Sequence, residues 1–203
     1  MSEKNDPNNK SKPNTIKFGL ISQESTYINV FDLINSYLKN SKTSKYNIKD
    51  ENHYEFSPHS LPSITINIYK LKKIENILEK YKYFNFFMIF IDAQNSNTND
   101  FLENAVDTIV NAGENNYNKK CYILGFFKEE NNEIIPEEKI TTILEAKGID
   151  YYYCQNKDDD IKNFTKSLDR IINDSNTIMV EKYLDQKHSE LILDNSNSHC
   201  SVY

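Results

Sequence analysis

The sequence predicts an α/β fold with a mostly parallel, six-stranded sheet and helices on both faces. Three observations predict it. Short apolar runs alternate along the chain with amphipathic stretches of helical spacing. The central run, FNFFMIFI at 84–91, is apolar without interruption, as in a strand covered on both sides. Each amphipathic stretch carries its own start or stop residues, so strands and helices alternate as separate elements.

The elements follow in order. Residues 1–14 are polar and are expected to be a disordered extension. TIKFGLIS reads as a buried strand, and Val30, Phe31, Ile34, Tyr37 and Leu38 place a helix ending near Asn40. Residues 41–62 are polar, with an edge strand expected at 46–48 or 54–56. SITINIYK alternates through Ile64, Ile66 and Ile68, the pattern of a strand. Ile74, Ile77, Leu78 and Tyr81 predict a helix over 74–83. After the central strand, Phe101, Ala105 and Ile109 form the stripe of a helix stopped by Gly113.

KCYILGFF is a further buried strand. PEEKITTILEAKG opens on Pro136 with glutamates in the first turn and ends at Gly148, which frames a helix. IDYYYC is the last strand. Asp158, Asp159 and Asp160 suit the N-terminus of a final helix, as a cap and not as a metal cluster. The pattern weakens after Ser175. The expected organisation is an extension at 1–14, one domain at 15–175 and a flexible tail at 176–203.

Composition narrows the function. Twenty-four Lys+Arg against 30 Asp+Glu leave a net charge of −6, and Arg170 is the one arginine. That argues against a nucleic-acid partner, which needs a basic face. No apolar run approaches the roughly 20 residues that span a bilayer, and the N-terminus has no signal-peptide core. Cys121, Cys154 and Cys200 show no metal or disulfide spacing, so the expected compartment is reducing and cytoplasmic. Histidines 53, 59, 188 and 199 fall in predicted loops or tail and read as solvated.

The order of elements resembles a Ras-superfamily small GTPase, closest to the Rab branch, over residues 15–203. ITINIYK resembles the strand before the second switch, and FFMIFIDAQNSNTNDFLENA the central strand ending in Asp92, its turn and its helix. CYILGFFKE resembles the strand carrying the guanine motif, and YYYCQNKDDDIKNF the last strand, its loop and the final helix. The resemblance implies a P-loop type fold. It also implies positions where the family holds nucleotide, and the residues there differ in kind.

The phosphate loop GxxxxGK(S/T) needs glycines for close backbone approach, a lysine for phosphate charge and a hydroxyl for Mg²⁺. Laid over 22–29, its glycines become Ser22 and Tyr27, its lysine Ile28 and its hydroxyl Asn29, with Glu24 adding repulsion. The aspartate of the second switch becomes Lys70 and its glycine Lys73. The glutamine that orients water falls near Ile74. The guanine motif NKxD maps onto Phe126, Phe127, Lys128 and Glu129, where only Glu129 imitates the base-reading aspartate. Asn156 and Lys157 stand at the last guanine-contacting loop. No cofactor is expected, GTP or GDP with Mg²⁺ being the alternative. The turn after the first strand reads as a plain strand-to-helix connection, with Ser25 or Thr26 near the helix cap.

The tail keeps one signal. Cys200-Ser201-Val202-Tyr203 has the form of a prenylation site. Leu191, Ile192 and Leu193 resemble the apolar motif with which Rab tails engage their prenylation escort or carrier. One lipid chain anchors only reversibly. The expectation is therefore a Rab-like protein without ordinary GTP hydrolysis, an interaction or adaptor protein in vesicle traffic. Residues 41–83 would be its partner face, and the cytosolic side of an endomembrane its place if Cys200 is lipidated. The alternatives are a divergent GTP-binding GTPase and a structural subunit of a transport or ciliary complex.

Overall fold

The alternation of apolar runs and amphipathic stretches becomes seven strands and five α-helices among the described residues. The computed structural model describes residues 15–24, 29–40, 45–50, 52–113, 120–127, 135–157 and 161–197. The strands are β1 (Thr15–Ser22), β2 (Lys45–Asp50), β3 (His53–Ser57), β4 (Thr65–Lys70), β5 (Phe86–Asp92), β6 (Cys121–Phe127) and β7 (Tyr151–Lys157). The helices are α1 (Val30–Asn40), α2 (Asn76–Lys80), α3 (Thr98–Ala112), α4 (Glu137–Ala146) and α5 (Ile161–Asn197).

The sheet runs β2-β3-β4-β1-β5-β6-β7. From β4 to β7 all pairings are parallel, whereas β2, β3 and β4 pair antiparallel. The sheet thus has one strand more than the six expected, because both candidate edge segments are strands. They zip together as a hairpin, Tyr46 across from Phe56 and Ile48 across from Tyr54. Tyr54 and Phe56 are buried, which anchors the pair to the core.

Every residue of β5 is buried, as its unbroken apolar run requires. Alternate residues feed two cores. On one face Phe18, Met88 and Leu124 pack with Ile34 of α1 and Leu168 of α5. On the other, Ile89 and Ile123 pack with Ile77 of α2, Leu102 of α3 and Leu144 of α4. Helices therefore cover both faces. Gly19 makes the second core possible at mid-strand. A Cβ there would stand 2.8 Å from Phe84 Cδ2 and 2.9 Å from Phe87 Cε1, so only glycine lets both rings lie on β1.

Three boundaries differ from the sequence reading. The helix expected over 74–83 is shorter: α2 gives way to a 3₁₀ turn at Tyr81–Tyr83. β7 continues to Lys157, because Gln155, Asn156 and Lys157 keep their register with Gly125, Phe126 and Phe127. The last helix does not stop at residue 175 but runs 37 residues to Asn197, about 55 Å at helical rise. Its apolar stripe, Phe164, Leu168, Ile171 and Ile172, passes through a buried Ser175 to Ile178 and Met179. Ser175 hid the continuation. Its hydroxyl donates to Tyr122 Oη at 2.8 Å, so a polar residue is accommodated in an otherwise apolar seam. Tyr122 donates in turn to Asp174 at 2.9 Å, Lys120 pairs with Asp174 at 3.0 Å, and Tyr37 of α1 donates to Asp169 at 2.8 Å.

Burial has a consequence in alkali. It pushes the Cys121 thiol up to about 12, with Asp150 adding to the effect. It pushes the Tyr54 hydroxyl up to about 12 as well, with a smaller contribution from Asp32. In the unfolded chain these groups ionise near roughly 8.5 and 10. Between about pH 9 and 12 the unfolded state therefore sheds protons that the folded state keeps, and stability falls as pH rises. Denaturation midpoints should decline steadily above about pH 9. Peptide-resolved alkylation near pH 8 should leave Cys121 unmodified until denaturant is added. Labelling of Cys121 in the native protein would contradict this.

Candidate functional site: the crevice at the switch point

β1 is followed by a helix on one face of the sheet, β4 by a helix on the other. Between their C-terminal ends the chain leaves a crevice, the usual ligand position in open parallel sheets. It measures about 440 Å³. Gln23 and Glu24 line it from the end of β1, Lys72 and Lys73 from the connection after β4, and Asn95 and Asn97 from the turn before α3. Ile21, Leu71 and Phe101 form its apolar lining. The Leu71 N–H donates to Leu20 O at 2.7 Å and holds the two strand ends together.

Gln23 decides the character of this crevice. Only 7% exposed, it continues the alternation of β1 beyond Ile21 and turns towards α3. Its N–H donates to Phe90 O at 2.9 Å. Its Oε1 accepts the Asp92 N–H at 3.0 Å and lies 2.9 Å from the Thr98 hydroxyl. That hydroxyl shares its single proton with the Asp92 carbonyl oxygen. Asp92 itself is buried, and its carboxylate accepts the Gln94 N–H at 2.9 Å. The Asn97 N–H donates to Asn95 Oδ1 at 2.9 Å, which shapes the turn into α3.

The residues singled out from sequence scatter around this centre. Ser22 lines the crevice, its hydroxyl donating to Gln23 O at 3.1 Å. Tyr27 and Ile28 lie outside the described residues, as do Ser25 and Thr26. Asn29 stands just before α1, its backbone oxygen accepting the Leu33 N–H at 3.1 Å and its side chain meeting the Asp32 N–H at 3.4 Å. Lys70 is absent from the crevice. It is exposed and lines a neighbouring groove, while Lys72 and Lys73 take the place expected of it.

Phe126 belongs to the core. It is 0% exposed, stacks on Phe90 at 5.5 Å with planes 9° apart, and meets Phe164 at 6.1 Å. Asn156 and Lys157 are the last residues of β7 and not a loop. Glu129 and Cys200 lie outside the described residues, and Leu191, Ile192 and Leu193 are in the last turns of α5. His53, expected in a loop, is in β3, stacked on Tyr69 at 4.1 Å with Nε2 2.7 Å from Asn67 Oδ1.

No protein family matches this chain, and no curated protein matches it. The site stands on its own geometry. Sequence reasoning missed Gln23, Asn95 and Asn97. The signal for Gln23 was the period of two running through Gly19 and Ile21, which aims the next such residue at α3. Among the described residues no helix is long and apolar enough to cross a membrane.

Proposed function

We propose that the chain is a small-GTPase-like interaction module of Rab type, which engages protein partners through residues 41–83 and does not run ordinary GTP hydrolysis. The single observation that carries this is Gln23. At the switch-point crevice its side chain is committed to Asp92 and Thr98 and its N–H to Phe90 O, whereas a phosphate-binding loop keeps its backbone N–H groups free for the anion. Burial of Phe126 between Phe90 and Phe164 supports the same reading, since a base platform must stay open. So does the sheet order, with an antiparallel hairpin ahead of β4 and a helix pair on one face. Lipidation of Cys200, with Leu191, Ile192 and Leu193 as the escort contact, would bring the module reversibly to an endomembrane.

Thermal unfolding with GTP, GDP or ATP, each with and without Mg²⁺, tests it. A ligand at 100 times its Kd stabilises by about 2.7 kcal/mol, roughly 5–10 °C for a chain of this size. No shift is expected. A guanine-selective shift of that size would return the protein to the switch class. One observation favours that second reading: Lys72 and Lys73 bring positive charge into the crevice from the β4–α2 connection. Under it, the shift would disappear when both lysines are replaced by alanine.

A further inference from the structure

Beside the crevice, across Leu71, lies a second depression of about 470 Å³ between β4 and α2. It exists because α2 is a helix of five residues, too short to cover the β3–β4 end of the sheet. We infer that this groove, walled by Tyr69, Tyr83 and Phe84 and flanked by Lys70 and Lys80, receives a short acidic segment of a protein partner that carries an aliphatic or aromatic anchor. The inference deepens the proposed role by naming the partner chemistry, and it rests on that reading only for the location of the partner face.

The walls are already in place. Tyr69 stacks on His53, stands edge-on to Tyr83 at 5.2 Å and tilts against Phe84 at 5.8 Å. The Tyr69 and Tyr83 hydroxyls are 2.8 Å apart, and Lys17 Nζ lies 4.0 Å from the Tyr83 ring centre. Rings held this way lose little freedom on binding. Yet Tyr83 is 46% exposed. Apolar area therefore remains for an anchor side chain.

Charge selects the partner. Lys70, Lys72, Lys73, Lys80 and Lys82 are all exposed, and the same stretch carries Glu75 and Glu79. Five lysines against two glutamates make this segment net +3 in a protein of net charge −6. An acidic segment is drawn to this face and repelled by the rest of the surface. Glu75 and Glu79, set among the lysines, disfavour a uniformly anionic lipid surface. Glu79 itself lines the groove beside Lys80, so the partner's carboxylates belong on the Lys70 side and its apolar anchor between the rings.

A random-peptide display library selected on the full chain tests this, followed by fluorescence anisotropy of the enriched peptides. The expected peptides place aspartate or glutamate around a leucine or phenylalanine. Lys70→Glu with Lys80→Glu, and separately Tyr83→Ala, should each weaken them by about tenfold or more. Raised salt should weaken them further. These side chains are exposed, and unchanged melting temperatures would verify that the variants fold. Enrichment without acidic residues, or affinities indifferent to both variants, would overturn the inference. Sedimentation with phosphatidylserine vesicles, lost in the lysine variants and unaccompanied by any enriched peptide, would overturn it in favour of a lipid. Acidic-peptide binding with the expected losses supports the groove even if GTP separately stabilises the protein, so the two proposals fail independently.

Discussion

Phe126→Ala should destabilise the protein by about 3–5 kcal/mol, the cost of removing a fully buried aromatic ring. In a chain of this length that lowers Tm by roughly 10 °C. The ring is sealed between Phe90 of β5 and Phe164 of α5, so its loss opens a cavity at the joint between the sheet and the longest helix. The surroundings have little freedom to refill it, because Phe90 and Leu168 are themselves buried and held by neighbours. Chemical denaturation reads the effect directly. A loss below about 1 kcal/mol would mean that the ring is not packed this way. The position would then be free for a ligand.

Gln23→Leu should cost about 1–3 kcal/mol although the two side chains are similar in size. The loss is specific. The Asp92 N–H, buried at the end of β5, is left without its acceptor, while Thr98 keeps the Asp92 carbonyl. A second measurement separates this from general damage. Hydrogen exchange should quicken at Asp92 and in the first turn of α3, and should stay slow in β6 and β7. If exchange at Asp92 is unchanged, Gln23 does not hold the end of β5 to β1.

The same two residues show where sequence reasoning reaches and where it stops. Phe126 sits in an apolar run, and its burial follows from the pattern of CYILGFF. Gln23 sits in a polar run, and nothing local says whether its amide meets water or Asp92, which is 69 residues away in sequence. Ser175 is the reverse case. A polar residue ended the predicted helix, yet Tyr122 on β6 supplies the partner that lets α5 continue. The hairpin of β2 and β3 was half legible, since each segment looked like an edge strand and only pairing could show that both were used.

The sequence by itself determined the alternation of strands and helices, the burial of β5, and the apolar faces of α1, α3 and α4. These rest on local periodicity and on residue chemistry, which a linear string carries in full. Only the tertiary structure decided that Gln23 is locked to Asp92, that Lys72 and Lys73 rather than Lys70 enter the crevice, and that a short α2 leaves an aromatic groove open. Those outcomes depend on side chains meeting across strand ends far apart in sequence. A hydrogen bond or a cavity wall exists only once both partners have been brought to the same place.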